Sequence, residues 1–461
     1  MKNNVDFFFH FSDFTLNENL YPLKRHSSFY YIVRGVYYFT RSFVYSLIYG
    51  NYKYKEINSV KGKILFFCLS LNNRRALSSV MDKFDKQDYH LLLDVEVPEL
   101  TLKRVYIKSL IYIIPILIRF LKYKGKEKRI YGYGLPLILR SPGYFFTIGD
   151  FIKKMSPKCV FFSNDHVDCA RMALWHCNNL NIKSLYIQHA SVANYYPALQ
   201  FSYAFLDGVE SFHKYTDIHK DGTSKTVILG ACRFDYMKPK IINQKEAFIN
   251  TIGVAVNMID DYNHIEALCK FILNISPAYK IVIRTHPGML HFEHFKFENA
   301  NIEYTSAYDE TPFDFLNRIG ILIANDSSIH LDALMARVPS IMYSLSKSGF
   351  SDQYSYVAQG LVKYAKDEDE LKCMLSGHSL KMVSTDIAQF FNAAYDKEYE
   401  GNCSTIVANF LKRGFDEEYL QSWGRKINCV MRRFFPSSSV GDRPAPRGCT
   451  STPDERKVTT I

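Results

Sequence analysis

The 461 residues predict an α/β fold with two parallel sheets in tandem, and three observations carry that expectation. Apolar runs such as "KILFFCLS" and "TIGVAVNM" are continuous rather than alternating, as suits parallel strands covered on both faces. Helical stretches fall between successive runs, so each pair of strands is joined by a crossover helix. Finally, polar clusters stand where several runs stop, and in open parallel sheets ligands bind beyond the carboxyl ends of the strands.

The elements follow in order. Residues 1–60 form an aromatic-rich extension with helical patterning, as in "FYYIVRGVYYFTRSFVYSLIYG". A first α/β domain is expected over 61–240. "KILFFCLS" and "YHLLLDVEV" are strands with the helical "LNNRRALSSVMDKF" between them, and "CVFFSND", "KSLYIQH", "YAFLDG" and "KTVILG" continue the series. The turn "GACRFD" closes it and needs no catalytic role, since Gly230 suits a tight interdomain turn. A second domain is expected over 241–400, with strands in "TIGVAVNM", "YKIVIRTHPG", "ANIEYTS" and "GILIANDSSIHLDALMARVPSIMYSL". Helices follow over 401–435. Residues 436–461 contain no aromatic residue, against seventy earlier in the chain, so this tail cannot bury enough apolar surface to fold by itself.

The net charge is +11, and it is unevenly spread. Between Thr101 and Ile130 nine Lys or Arg face one acid, Glu127, around an apolar run. The uncharged part, Ser109 to Ile118, is ~15 Å as helix, too short for ~30 Å of hydrocarbon. A basic, aromatic, amphipathic segment suits either a helix lying on an anionic membrane surface or a core helix with a solvated basic end. Nucleic acid is not an expected partner, because no zinc-finger spacing, RNA-binding signature or arginine-rich arm accompanies the charge. No secretory signal is read in "MKNNVDFFFHF", and ten cysteines without a CxxC pair read as reduced thiols. A cytoplasmic protein, peripheral at the inner face of the plasma membrane, is the corresponding expectation.

Three strand-end clusters are candidates for chemistry: Gln188-His189 in the first half, Arg284-Thr285-His286-Pro287 and Asn325-Asp326-Ser327-Ser328 in the second. The carboxyl edges of two such sheets face one cleft, so the clusters can meet. Ser327 and Ser328 precede an apolar helix and either cap it or hold a phosphate. Arg284 and His286, at the end of a neighbouring strand, favour the phosphate. No DxD stands on a strand-end loop, no metal or other cofactor is expected, and Asp260-Asp261 is read as the start of the next helix.

The ordered motifs "QHA…LDG…LGACRFD…RTHPG…NDSSIHLDALM…VPSIMY", over Lys61 to Tyr364, resemble bacterial GT-B glycosyltransferases of capsule and lipopolysaccharide assembly. By motif the nearest are the sialic acid, polysialic acid and Kdo transferases that use CMP-sugars. The CDP-glycerol glycerophosphotransferases share much of the pattern. The resemblance implies two Rossmann-like domains facing a central cleft, a nucleotide-sugar donor, and a glycan or lipid-linked acceptor. It also places His286, Ser327 and Ser328 on the nucleotide phosphate, and makes Asp207, of Asp207-Gly208, a candidate catalytic base. Leu206 stands where the family usually has a second acid, and Ala190 where many have Gly, so His189 is carried as a second candidate base. A CDP-polyol phosphotransferase, a UDP-sugar 2-epimerase and a non-catalytic subunit of a polysaccharide assembly complex are the alternatives.

Overall fold

The computed structural model describes residues 5–11, 24–49, 60–68, 70–93, 101–164, 166–193, 196–216, 221–237, 250–286, 289, 299–347, 349–376 and 382–423. The expected tail, 436–461, lies outside them.

Two six-stranded sheets, entirely parallel, make an α/β protein of GT-B-like architecture. The first contains β1 (Ile64–Cys68), β2 (Tyr89–Leu93), β3 (Val160–Phe162), β4 (Ser184–Ile187), β5 (Tyr203–Leu206) and β6 (Lys225–Ile228), in the spatial order β2-β1-β3-β4-β5-β6. The second contains β7 (Thr251–Val256), β8 (Lys280–Thr285), β9 (Ile302–Ser306), β10 (Ile321–Ala324), β11 (Ser340–Tyr343) and β12 (Lys363–Ala365), in the order β12-β11-β10-β7-β8-β9. In this second sheet the order reverses between β7 and β10, where two crossovers leave in opposite directions and a crevice opens at the strand ends.

Each sheet is buried on both faces. In β1, Leu65 and Phe67 enter one apolar cluster while Ile64, Phe66 and Cys68 enter the other. A strand covered on two sides has no solvent face to mark with polar residues, which is why it reads as an unbroken apolar run.

Two features depart from a plain pair of lobes. On one face of the first sheet lies a 31-residue helix, Gly125–Met155, that carries Pro136 and Pro142 internally. Helices Ser28–Tyr49 and Leu102–Ser109 pack on that helix and on each other, adding an outer layer. The second feature is the return of the chain. After the second sheet, Ala393 and Ala394 and the helix Cys403–Lys412 pack into the first sheet's core, beside Phe205 and Cys232. Gly208 and Gly230 mark that crossing. A Cβ on Gly208 would strike the backbone of Phe390 and Phe391, and Gly230, at φ +109°, lies against Ala394 and Asn392. Gly230 thus takes a backbone conformation that side chains rarely adopt, packed against the returning chain.

Candidate functional site

A cavity of about 320 Å³ lies between the sheets. The first lobe contributes Arg75, His189, Arg233 and Tyr236 to its wall, and the second contributes Arg284, His286, Ser327, Ser328, Asp332 and Tyr354. His189 therefore meets Arg284, His286 and the paired serines across one space. Pro287 lies outside the described residues.

The serines sit where β10 ends and the helix Ile329–Met335 begins. Ser328 is the N-cap residue, yet its side chain makes no capping hydrogen bond and its backbone is in the helical region rather than the extended one. The cap half of the expectation thus fails here. Both serines are partly exposed, and they line the cavity. Arg284 is buried, with its Nη2 donating to the Glu310 carbonyl at 3.3 Å. Burial pulls its pKa below the ordinary range for arginine, and nearby Asp332 works against that. His286 is also pulled down from 6.5, first by burial and then by Arg284. A phosphate arriving between them would reverse that repulsion and favour the protonated ring.

Asn325 and Asp326 do not line the cavity; they fix the turn behind it. Asn325 donates from Nδ2 to Asp260 Oδ1 at 2.8 Å, and its Oδ1 accepts from the Asp326 N–H at 2.9 Å. His330 Nε2 bonds the Asn325 carbonyl at 3.1 Å. Asp326 Oδ2 accepts from Ser351 Oγ at 2.9 Å and from the Gln353 N–H at 2.7 Å, which anchors the loop carrying Tyr354 to the cavity edge. Asp261 caps the helix Tyr262–Ile275 by accepting from the Asn263 N–H, as the sequence suggested.

Asp207 is placed differently from a general base. Its carboxylate is 2 % exposed, pairs with Arg233 Nη1 at 2.5 Å, and is not part of the cavity wall. Burial pushes it up to about 6, and Arg233 opposes that. The Asp207 N–H donates to Gln188 Oε1 at 3.1 Å, while Gln188 Nε2 donates to the Ala190 carbonyl and to Ser211 Oγ, each at 2.9 Å. Gln188 is thereby consumed in tying the ends of β4 and β5 together. Its neighbour His189 is the residue of the pair that faces the cleft.

Of the wall residues named above, Arg75, Arg233, Tyr236, Asp332 and Tyr354 escape the sequence reading, and Arg233 and Asp332 bear most on the chemistry. Arg233, from the turn taken as purely structural, enters the cavity with Asp207 holding it in place. Applying the strand-end rule to β6 points to that turn. Asp332 is four residues past Ser328, and on a helix that spacing puts both on one side. Among the described residues its carboxylate has no hydrogen bond or ion pair. It is pushed up to about 6 by burial, with Arg233 and Arg284 pulling the other way.

No family model and no curated protein matches the chain in sequence. Among solved structures it is similar to a putative UDP-N-acetylglucosamine 2-epimerase from Listeria monocytogenes, with TM-score 0.50, 10% identity, and coverage of 77% of this chain and 97% of that one. It matches S. aureus MnaA, solved with UDP, at TM-score 0.50 and 10% identity, covering 77% and 98%. The calicheamicin glycosyltransferase CalG4 follows at TM-score 0.47 and 9% identity, covering 78% and 98%. At these identities the two matches at TM-score 0.50 speak for the fold alone: a two-lobed GT-B-like protein with its cleft between parallel sheets.

Proposed function

We propose that the protein is a GT-B-type glycosyltransferase that moves a sugar from a nucleotide, CMP by the motif resemblance, to a hydroxyl of a surface polysaccharide or lipid-linked glycan. The observation that supports this best is the meeting of His189 with Arg284, His286, Ser327 and Ser328 around one cavity. Transfer needs a base for the attacking hydroxyl and donors for the charge that develops on the departing phosphate. His189, on the first-lobe wall, takes the proton. The two serine hydroxyls, His286 and Arg284, on the opposite wall, receive the phosphate. Asp332 accepts hydrogen bonds from sugar hydroxyls, a role suited to a carboxylate with no protein partner. Arg233 adds positive charge, and Asp207 positions it.

Epimerisation at a sugar carbon requires several acid–base groups around the ring. Asp332 is the single carboxylate among the described residues of the cavity wall, which favours transfer. Thermal stability measured with CMP, CDP, UDP and GDP tests the reading. A nucleotide at a hundredfold over its Kd adds ~2.7 kcal/mol. We expect a cytidine nucleotide to stabilise most; a preference for UDP replaces the donor, and no response to any of the four removes the assignment.

A further inference from the structure

The outer helical layer of the first lobe leaves an apolar surface uncovered. On helix Ser28–Tyr49, Val33, Tyr37, Val44 and Ile48 are exposed and recur at helical spacing on one stripe. Beside it, Leu102–Ser109 runs through a short 3₁₀ turn into the helix Ile113–Lys122. Ile107, Ile111, Ile114, Ile118 and Leu121 make a second stripe there, with Ile111 76% and Ile114 69% exposed. The opposite sides of these helices are spent on packing: Val105, Ile116 and Phe120 are fully buried, and Phe39 meets Tyr106 edge-on at 5.0 Å. Scattered exposed apolar residues are ordinary, but two adjacent stripes of large ones mark an interaction surface.

Charge identifies the occupant. Lys103, Arg104, Lys122 and Lys124 are exposed around the second stripe and have no ion-pair partner among the described residues. The neighbouring Lys108 and Arg119 are committed to Asp150 and Asp6. A second copy of the chain would set the four free cations against their own kind. An anionic lipid surface supplies the counter-charge and accepts the apolar side chains between the headgroups. No described helix is long and apolar enough to cross a membrane, and each stripe backs onto a packed core, so the helices lie flat.

We infer that helices Ser28–Tyr49 and Leu102–Lys122 together form a docking face for an anionic bilayer. The inference stands on the outer layer alone and does not depend on the chemistry of the cleft.

Sedimentation of the full chain with phosphatidylglycerol-rich vesicles, and with vesicles of phosphatidylcholine alone, tests it. Binding should favour the anionic vesicles and weaken as salt is added. Changing Lys103, Arg104, Lys122 and Lys124 to Gln should lower the vesicle partition coefficient about fivefold per charge removed. Ile111→Ser with Ile114→Ser should lower it about tenfold or more, with far-UV circular dichroism and melting temperature unchanged because both side chains are exposed. Absence of vesicle binding, or binding indifferent to both sets of changes, overturns the inference. A concentration-dependent dimer lost in the serine variant, without vesicle binding, gives the face to a second copy instead.

Discussion

Replacing Ser327 and Ser328 together by Ala separates a structural use of these hydroxyls from a ligand-binding one. If they capped the helix, each would contribute ~1 kcal/mol to stability. Ser328 makes no capping bond, and neither hydroxyl is bonded to the described protein, so the double variant should lose much less than that. If the hydroxyls hold a phosphate instead, the variant forfeits hydrogen bonds to a charged group, worth ~1.5–3 kcal/mol. Nucleotide affinity should then fall about 10- to 150-fold. The assay is isothermal titration of wild type and variant with the best-stabilising nucleotide and with its nucleoside, alongside denaturant unfolding of both proteins. The nucleoside carries no phosphate, so its affinity should barely change. Equal losses for nucleotide and nucleoside, or a stability loss of ~2 kcal/mol, would show that the serines shape the turn and would refute the phosphate assignment.

Asp207→Ala should destabilise the fold by ~3–5 kcal/mol in denaturant unfolding, because it strands Arg233 in a buried position. Removing both charges, Asp207→Leu with Arg233→Met, should cost markedly less. A stable Asp207→Asn protein that binds nucleotide normally and transfers no sugar would instead make Asp207 the base. His330 is fully buried and held down to about 4 from 6.5. The unfolded chain takes up this proton below 6.5 while the folded chain refuses it, so its contribution is full above 6.5 and is lost as pH falls towards about 4. The stability difference between wild type and His330→Gln should therefore change by about 3 kcal/mol across that window, measured by urea unfolding at a series of pH values.

The elements that were legible in the sequence share a physical cause. β1, β7 and β8 are covered on both faces, so burial writes an unbroken apolar run into the chain. The strand-end rule then led to His189, Arg284, His286 and the serines, since polar residues after such runs have a limited set of uses. Elements held by tertiary packing were not legible. Helix Gly125–Met155 contains two prolines and several glycines, which locally argue against a helix, and its length depends on the sheet beneath and the outer helices above. The three-residue β12 exists because β11 offers it an edge. Asp207 is a residue of the right type in the right motif, and only a contact with Arg233, 26 positions away, reveals that its charge is already engaged. Nothing local marks such a pairing in advance.

The return of the chain to the first lobe has a consequence for how the molecule is made. One face of the first sheet is covered partly by Leu77, Val80 and Met81 and partly by Ile406, Val407, Phe410 and Leu411, yet its last strand ends at Ile228, roughly 180 residues before the second set. At ~5–20 residues per second, a ribosome exposes that face for on the order of 10 to 40 s before its cover emerges. The amino-terminal lobe therefore cannot mature as an independent unit ahead of the other, as domains translated first generally do. During synthesis it waits with part of an apolar face open. That face closes only when the helix Cys403–Lys412 has returned to it, late in synthesis.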